Sequence, residues 1–531
     1  MRFSSHNLFN SACIWAVASA SKHLSPEIGH KSLTIATRLQ DEPSSNDMQL
    51  AFALASAATL ALPAVAQCED YTKYSTKPQG TPSAGVLGLP FMRPPPECRT
   101  FNSSSVETVI DQMKKRLKDP DVARLFENTF PNTLDTTVKY FSKEKNLAFI
   151  ITGDITAQWL RDTANQLAHY HSLLGQDKEL ATLVKAVINN EARYIAEYPY
   201  CGAFQPPPES GLNPTVNEWA LGVTVNPPVN NQTVFECKYE LDSLCGFLKL
   251  SRSYYQATND SSFANGNWDA AISQIFRVMD EQSQGTFDEE FNVVSYYNWT
   301  GGNGALSPQV PNRGNSEPKA YTGMVGTHHR PSDDLSTYAF LTPANAMLSV
   351  ELTHLAETLD GMGRLKNVSD GIFAYETNGL GSRYLMDDAN VPSLLSLPYL
   401  GFLNNTDPTY VKTKEMVLSR RNPYYAKGKM FFGTGGPHVD TVHPWPMSLI
   451  SAIYGSDNNA EIENLLYTIV NNTAGLGLIH ESQNVHNDSD YTRPWFAWAN
   501  SYFAEMLLDL AERKPSLIFT SSEPYVAGKS S

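Results

Sequence analysis

Residues 152–162 read Thr152-Gly153-Asp154-Ile155-Thr156-Ala157-Gln158-Trp159-Leu160-Arg161-Asp162. The apolar run 147–151 that precedes them predicts a short strand, and the apolar-periodic stretch 159–174 predicts a helix. Carboxylates, one guanidinium and one indole therefore fall in a single strand-to-helix turn. Such groups can hydrogen-bond the hydroxyls of a sugar and lie against the apolar side of its ring. On this stretch alone, a capped helix with an ordinary Arg–Asp pair explains the pattern equally well.

The composition is that of an acidic globular protein. The 531 residues carry a formal net charge of −15, and 41% of them are apolar. This length suits one large domain or about two to three smaller ones. The acidic excess argues against nucleic-acid binding, which needs a basic face. The many aromatic residues (8 Trp, 25 Tyr and 24 Phe) suit a neutral ligand such as a sugar, although solubility alone also explains the charge.

The first 66 residues are predicted to lie outside the folded protein. The run from Leu50 onward is apolar and ends in Ala64-Val65-Ala66, as a signal peptide does. We therefore expect Met48 to be the true start, residues 1–47 to be a gene-model extension and residues 48–66 to be a signal peptide. A retained type II anchor is the alternative. With the peptide cleaved, no stable membrane association is expected.

Two further patterns favour a secreted, extracellular protein, which we expect to be a monomer. The five cysteines after residue 66 predict two disulfides and one free thiol, with the pairing left open. Cys245 lies in an apolar helical pattern and is the expected buried free thiol. Eight Asn-X-Ser/Thr sequons without proline follow the signal segment, at Asn102, Asn231, Asn259, Asn298, Asn367, Asn404, Asn471 and Asn487.

The rest of the chain predicts an arm, a helical domain and a tail. Residues 67–100 are rich in proline and glycine and predict an extended surface arm. A capping box at Ser104 and Glu107 predicts the first helix of a domain over 101–515, and 516–531 form a tail. A second helix over 122–128 and a hairpin of 136–140 with 147–151 follow. Further helices are predicted at 158–173, 176–197, 238–256, 264–282, 343–358, 361–375, 407–418, 445–454, 458–471 and 495–513.

These patterns predict an all-α fold of about a dozen helices with long loops and minor β-hairpins. An (α/α)6 barrel, in which two concentric rings of helices leave a pocket at one end, fits this count. An irregular α-bundle fits it as well, and spacing alone does not choose between them. The long loops 200–232 and 299–343 are the expected functional segments.

Several acidic residues are candidates for chemistry. Asp242 lies in an apolar helical stretch, where a charge is costly unless it is paired or used; capping the helix is the alternative. The pairs Asp333-Asp334 and Asp387-Asp388 suit a metal, a helix cap or sugar hydroxyls, and no third acid completes a calcium loop. No zinc-type spacing is present.

Two later segments complete the candidates. The glycine-rich run 433–436 leads to His438 and Trp445 but lacks the lysine of a phosphate loop. His480 and Glu481 lie between an apolar run and a helix, and a satisfied loop pair is the alternative reading of them. Together the candidates suggest a carbohydrate site with several carboxylates, and glycoside hydrolysis needs two.

These motifs resemble glycoside hydrolase family 125, the exo-α-1,6-mannosidases, over about residues 100–515 and in the family's order. They are 152–154 with 159–162, 239–243, 330–334, 385–394, 435–438, and 480–482 with 495–500. The resemblance implies an (α/α)6 barrel and an inverting mechanism without metal or other cofactor. It also implies an α-mannoside substrate, namely mannan or N-glycan-type oligosaccharides.

The resemblance implies catalytic roles for two residues. Asp242 matches the general acid and should have a raised pKa, while Glu481 matches the general base and should be ionised. In inverting enzymes such a pair lies ~6.5–9.5 Å apart, which leaves room for a water molecule. The expected substrate-binding residues are Trp159, Arg161, Asp162, Arg330, Asp333, Asp334, Asp388, Asn390, His438, Trp445 and His480.

Two positions depart from the family pattern. Gln483 stands where an aromatic residue is expected, and Pro494 replaces a small polar residue. Neither is the proposed acid or base. The competing hypotheses are a mannan-binding protein without catalysis and a calcium-dependent α-mannosidase or a polysaccharide lyase of another α/α-toroid family.

Overall fold

The computed structural model of the protein describes residues 68–301, 310–357 and 371–529, and the side chains of 356 and 357 are excluded. The predicted extension 1–47 and signal peptide 48–66 lie outside the described residues. So do the sequon at Asn367 and most of the helix predicted over 361–375. Within that range, residues 371–375 are not helical.

Helices dominate the described residues. Most end where the sequence predicts, within a few residues. The α-helices are α1 Tyr71–Tyr74, α2 Ser104–Arg116, α3 Pro120–Thr129, α4 Asn132–Thr136, α5 Leu160–Ala168, α6 Lys178–Glu197, α7 Leu241–Thr258, α8 Gly266–Ser283, α9 Pro311–Gly314, α10 Thr342–Glu357, α11 Pro408–Val417, α12 Pro446–Tyr454, α13 Asn459–Val470, α14 Ala497–Arg513 and α15 Pro515–Ile518. Short 3-10 turns occupy Pro96–Cys98, His171–Leu173, Pro208–Ser210 and Glu218–Ala220.

The strands are short and pair antiparallel in small sheets. The strands are β1 Val138–Ser142, β2 Leu147–Ile150, β3 Gln158–Trp159, β4 Ala203–Phe204, β5 Thr224–Asn226, β6 Val234–Glu236, β7 Asn298–Thr300, β8 Phe340–Leu341, β9 Glu376–Thr377, β10 Arg383–Tyr384, β11 Tyr425–Lys427, β12 Phe432–Thr434, β13 Ser482–Gln483 and β14 Tyr491–Thr492. The sheet orders are β1–β2, β3–β4–β6, β5–β7, β8–β9–β10, β11–β12 and β13–β14. The predicted hairpin is β1 and β2, which confirms that pairing.

The N-terminus of α2 differs from the predicted capping box by one residue. Ser103 is the cap, and its hydroxyl accepts a hydrogen bond from the backbone N–H of Val106 at 3.1 Å. Glu107 does not return to the cap, because its carboxylate instead accepts from Arg93 and Arg99. In a capping box the Glu107 carboxylate would accept from the backbone N–H of the cap residue. Here it accepts from Arg93 of the arm instead.

The arm is held to the helical domain by a buried ion pair and a disulfide. Arg93 is buried, and its Nε donates to Asp135 at 2.7 Å. Cys68 and Cys98 form a disulfide that joins the two ends of the arm. Closing a loop of this length lowers the conformational entropy of the unfolded chain. The folded protein is thereby stabilised by about 3–4 kcal/mol.

A second disulfide lies beside the β3–β4–β6 sheet, and one cysteine stays free. Cys201 precedes β4 and Cys237 follows β6, so their bond fixes the edge of this sheet. Cys245 is a buried free thiol, as predicted. The count of two disulfides and one free thiol is therefore confirmed.

A glycine on α7 sets how closely α7 approaches α5. A Cβ added at Gly246 would lie 3.2 Å from both Cα of Arg161 and the carbonyl oxygen of Leu160. A side chain at this position would force the two helices apart by a few tenths of an ångström, so glycine suits this close approach. The helices α5 and α7 pack together, and their first turns bring Arg161 beside Asp242.

Further contacts between helices include those of α5 with α14, α7 with α10, α6 with α7 and α8, and α12 with α13 and α14. Their shared core contains several of the largest fully buried side chains, including Trp498, Tyr170 and Phe126. None of the helices in the described part of the chain has the length and apolar character to cross a membrane.

Candidate active site

A cavity of about 790 Å³ opens where the loops before the helices meet. This size accommodates a small oligosaccharide. Residues from every predicted motif line it except 239–243. The lining comprises Thr152, Ile155, Trp159, Arg161, Asp162, Asn217, Trp219, Phe235, Glu236, Lys238, Trp299, His329, Arg330, Pro331, Ser332, Asp333, Asp334, Leu335, Thr337, Tyr384, Asn390, Tyr424, Pro437, His438, Trp445, Glu481, Arg493, Phe496 and Trp498.

Arg161 forms the centre of a buried carboxylate cluster at the floor of this cavity. Its Nη1 lies 2.5 Å from Glu240 and 3.5 Å from Asp242. Its Nη2 lies 3.2 Å from Asp162 and 3.6 Å from Asp333. One guanidinium thus faces four carboxyl groups.

Because the acids outnumber the cation, the cluster retains protons near neutral pH. Burial raises the pKa of Asp162 and of Asp242 to about 6 each, although the charge of Arg161 opposes the shift. Burial also raises the pKa of Glu240 well above its ordinary value, and the nearby Asp333 adds to the rise. Two like-charged carboxylates at one site cannot both ionise at little cost.

Asp333 and Glu240 form a carboxyl pair that shares one hydrogen bond. Burial raises the pKa of Asp333, but the charges of Lys238 and Arg161 and the bond from Glu240 outweigh it, so the net shift is downward. The shared proton therefore resides on Glu240. Asp333 has a side chain about one-third exposed (33%), whereas that of Glu240 is 1% exposed, so only Asp333 reaches a ligand.

The backbone of Asp333 has a positive φ of 65°. This left-handed conformation is uncommon for residues with a Cβ and is a frequent mark of functional turns. The turn is closed by the N–H of Arg330 donating to the carbonyl of Asp334 at 2.7 Å. It directs the Asp333 carboxylate towards Arg161.

Glu481 is held on another part of the wall by a hairpin. It precedes β13, and Arg493 follows the paired strand β14, so the hairpin places them side by side. Nε of Arg493 lies 3.2 Å from Oε1 of Glu481, and the hydroxyl of Thr492 donates to Oε2 at 2.9 Å. Arg493 also lies 3.3 Å from Asp154. The guanidinium and the hydroxyl together fix the direction of the Glu481 carboxylate.

A third polar group consists of Asp334, His438, Ser332, Asp388 and Asn390. Nδ1 of His438 lies 2.9 Å from Asp334, and this contact raises the pKa of His438 to about 9 although burial opposes it. The hydroxyl of Ser332 lies 2.9 Å from Asp334 and 2.6 Å from Asp388. The side-chain amide of Asn390 donates to the far oxygen of Asp388 at 3.2 Å.

Aromatic rings complete the wall. Trp159 packs edge-to-face on Phe235 at 5.5 Å between ring centroids, and Trp445 packs on His438 at 5.3 Å. Arg161 lies over the ring of Trp498 at 5.6 Å. Mixed aromatic and charged surfaces of this kind suit a sugar, which has an apolar ring face and a polar edge.

The sequence of the chain matches one protein family over most of this site. The family described as Glyco_hydro_125, metal-independent alpha-mannosidase (GH125), matches residues 119–368 and 362–508. The chain belongs to this family. The resemblance read from the motifs is thereby confirmed.

Two relatives support this membership in the GH125 family. The chain is 44% identical over 497 residues to the meiotically up-regulated gene 157 protein of Schizosaccharomyces pombe, covering 88% of this chain and 97% of that protein. It is 29% identical to a metal-independent α-mannosidase of Streptococcus pneumoniae, solved as a non-productive complex with α-1,6-mannobiose. That match covers 77% of this chain and 99% of the other, with a TM-score of 0.69.

In this GH125 chain, most predicted site residues do line the cavity. Trp159, Arg161, Asp162, Arg330, Asp333, Asp334, Asn390, His438, Trp445 and Glu481 are all there. The guanidinium of Arg330 already has a partner in the protein, because its Nε donates to the buried carboxylate of Glu376 at 2.6 Å. It therefore shapes the wall more than it offers donors.

Three predicted residues lie behind the wall. Asp242 is fully buried beneath Arg161 and is not among the residues that line the cavity, so a direct role as the acid does not fit this placement. Its alternative role as a helix cap does not fit either, because Glu240 holds the cap position of α7. Asp388 is buried behind Ser332.

His480 also lies behind the wall. Its two ring nitrogens contact the backbone carbonyls of Thr473 and Arg493, each at 3.2 Å. Its imidazole therefore supports the loop that carries Arg493. The alternative interpretation, a loop residue whose hydrogen bonds are all made within the protein, fits His480, whereas Glu481 lines the cavity. Gln483, one departure from the family pattern, is buried and donates to the carbonyl of Asp488 at 3.0 Å.

Sequence reasoning missed several residues of the cavity. Arg493 resembled an ordinary loop arginine, and only the pairing of β13 with β14 reveals its contact with Glu481. Glu236 and Lys238 lie just before the motif 239–243 but were given no role. Trp219 sits in a long loop whose functional importance was expected from its length alone.

No group of His, Cys, Asp and Glu side chains within residues 68–301, 310–357 and 371–529 has the arrangement of a metal site. Ion pairs with Arg161, Lys238, His438 and Arg493 involve each of the acids that line the cavity. The GH125 family is one of metal-independent α-mannosidases.

Proposed function

We propose that this protein is an inverting exo-α-1,6-mannosidase that releases terminal mannose from mannan or N-glycan-type oligosaccharides. The observation that carries the proposal is a single cavity with a proton-holding carboxyl pair, Glu240 and Asp333, and a separate carboxylate, Glu481, bound to a cation. Hydrolysis of a glycoside requires one group of each kind.

Asp333 is the proposed general acid. It reaches the cavity, accepts the shared proton from Glu240 and passes that same proton to the glycosidic oxygen. The Glu240 carboxyl then holds the negative charge near Arg161, 2.5 Å away. This relay explains how a residue with a lowered pKa can still deliver a proton.

Glu481 is the proposed general base. Held by Arg493 and Thr492, its carboxylate accepts a proton from a water molecule that attacks C1 of the sugar. Attack from the face opposite the leaving oxygen gives β-mannose. The base then needs to stand ~6.5–9.5 Å from the acid.

Several other polar groups of the cavity are proposed to hold the terminal mannose. Asp162, Asp334, Asn390 and the protonated His438 supply acceptors and donors for its hydroxyls. Trp159 and Trp445 supply apolar faces. The floor formed by buried Arg161 closes the cavity beneath the sugar, which supports the release of chain ends.

The α-1,6 linkage is proposed from the relative of Streptococcus pneumoniae, whose structure holds α-1,6-mannobiose. We further propose the (α/α)6 barrel. The contacts of α5, α7, α10, α12 and α14 support an inner ring, since α14 packs against both α12 and α5. α6, α8 and α13 would then belong to the outer ring.

Hydrolysis of mannobioses with different linkages tests the specificity. The purified protein, expressed from Met48, is incubated with α-1,2-, α-1,3- and α-1,6-mannobiose, and free mannose is measured. Release from the α-1,6 isomer at least tenfold faster than from the others is expected. Equal or greater release from another isomer would overturn the proposed linkage, and release from none would favour a binding protein without catalysis.

Secretion is proposed from the sequons that the structure describes. Six of them have an exposed asparagine: Asn102, Asn231, Asn259, Asn404, Asn471 and Asn487. Asn298 differs, because its amide already donates to the carbonyl of Arg313 at 2.6 Å. Mass spectrometry of protein from a eukaryotic secretory host should find glycans on exposed sequons and none on Asn298. A protein without any glycan would contradict the proposal.

A further inference from the structure

Three polar residues that line the cavity near Asp333 have no role in the proposed hydrolysis, namely Lys238, Glu236 and Asn217. Lys238 lies close enough to Asp333 for its charge to act on that carboxylate. Nζ of Lys238 lies 3.2 Å from Glu236, and the side chain of Asn217 hydrogen-bonds Glu236 in turn. These three residues therefore connect the proposed acid to the segment that carries Trp219.

Trp219 is a large apolar side chain that lines the cavity and yet is 60% exposed. It stands on a single 3-10 turn, Glu218–Ala220. The turn is fixed by Asn217, whose Oδ1 accepts from the N–H of Trp219 at 3.0 Å and whose amide donates to the carbonyl of Phe235 at 3.3 Å. An indole held open on an anchored turn is a surface on which a sugar ring can stack.

Unpartnered polar atoms lie beside these three residues. Nε1 of Trp299 has no hydrogen-bond partner among the described residues, although the side chain is only 4% exposed and lines the cavity. The ring of His329 lies 5.1 Å from that of Trp299, and both of its nitrogens are unpartnered and buried. Buried polar atoms normally have partners, so these are suited to a ligand's hydroxyls.

Strand pairing joins the indole surface to these atoms. Strand β5, which follows the turn of Trp219, pairs with β7 and places Val225 opposite Trp299. Val225 packs against the main core. The two tryptophans therefore belong to one anchored structure at the side of the cavity where Asp333 lies.

We propose that Asn217, Trp219, Glu236, Lys238, Trp299 and His329 form the subsite for the leaving-group sugar, a neutral hexopyranoside that stacks on Trp219. The proposal rests on the proposed function, because the acid marks the side from which the leaving group departs. The glycosidic oxygen lies at Asp333, so the next sugar of the chain extends over Lys238 towards Trp219.

Two substrates that differ only in the leaving group test this subsite. α-1,6-Mannobiose places a sugar there, and α-mannosyl fluoride leaves it empty. Substituting Trp219→Ala should lower kcat/KM for mannobiose about tenfold, equivalent to about 1.4 kcal/mol, with a much smaller loss for the fluoride. Trp219→Phe should restore most of the lost activity, because a smaller ring still stacks.

The control is Phe291→Ala, since Phe291 is also an exposed aromatic residue (84%) but does not line the cavity. It should leave both substrates unaffected. Equal losses of Trp219→Ala on the two substrates, or no loss on mannobiose, would overturn the subsite while wild-type hydrolysis still supports the proposed function. A wild-type protein that hydrolyses neither substrate would overturn the proposed function, and the subsite with it.

Discussion

Nε of Arg493 lies 3.2 Å from Oε1 of Glu481. The contact depends on the β13–β14 hairpin, which brings residues twelve positions apart to the same wall of the cavity. It fixes the direction of the Glu481 carboxylate. A general base that activates water needs such a fixed direction.

Substituting Glu481→Gln should therefore lower kcat by about 10²–10⁴-fold on α-1,6-mannobiose. The amide keeps the shape of the side chain but cannot accept a proton from water. Steady-state kinetics measures the loss, and thermal unfolding confirms that the fold persists. Glu523→Gln, an exposed acid of the tail, is the control and should retain full activity. A Glu481→Gln enzyme within tenfold of the wild type would contradict the assignment.

The general acid can be identified by comparing how three Asp→Asn variants hydrolyse two substrates whose leaving groups differ in their need for a proton. Asp333→Asn should lower hydrolysis of mannobiose by about 10²–10⁴-fold, yet affect α-mannosyl fluoride far less, because fluoride departs with little protonation. Asp162→Asn and Asp242→Asn should not show this contrast. If Asp242→Asn alone showed it, the buried aspartate would be the acid, and a rearrangement that exposes it would be required.

The ion pair of His438 and Asp334 predicts a pH dependence of stability. The pKa of His438 is raised from 6.5 to about 9, so the folded protein binds more protons than the unfolded chain between these values. The contribution is fully present below pH 6.5 and is lost as the pH rises through 9. Urea unfolding from pH 6 to 10 should show the free energy of unfolding of the wild type falling relative to His438→Gln. A constant difference would contradict the pairing.

The two disulfides should differ in their effects. Cys68→Ser with Cys98→Ser opens the arm, and should cost about 3 kcal/mol of stability while kcat stays unchanged. Cys201→Ser with Cys237→Ser frees the sheet that carries Trp159 and Glu236, and should lower both stability and kcat/KM. Unfolding and kinetics of the two double variants measure the contrast. Equal kinetic effects would show that the sheet does not need its disulfide.

The sequence predicted much of this site because its polar residues occur at element starts and in long loops. Arg161, Asp162, Asp334 and Glu481 were all found in that way, and all four line the cavity. Asp333 was also found, but only as a ligand for hydroxyls. Its positive φ and its pairing with Glu240 depend on tertiary contacts, which periodicity does not encode.

Asp242 shows why the orientations of some site residues could not be predicted from the sequence. An acid in an apolar helix looks functional in the sequence, but its direction depends on how α7 packs. Gly246 lets α7 pack closely against α5, and the carboxylate of Asp242 therefore lies under Arg161. Similarly, strands of two or three residues such as β13 and β14 are too short for an alternating pattern, and the partner of Glu481 was missed with them.

The most direct test of the central claim is proton NMR of α-1,6-mannobiose hydrolysis in the presence of a chelator. The arrangement of Asp333 and Glu481 predicts that β-mannose appears first and mutarotates to α-mannose afterwards, with an unchanged rate when metal ions are removed. Initial release of α-mannose would contradict inversion. Loss of activity with the chelator would contradict a mechanism carried by these carboxylates alone.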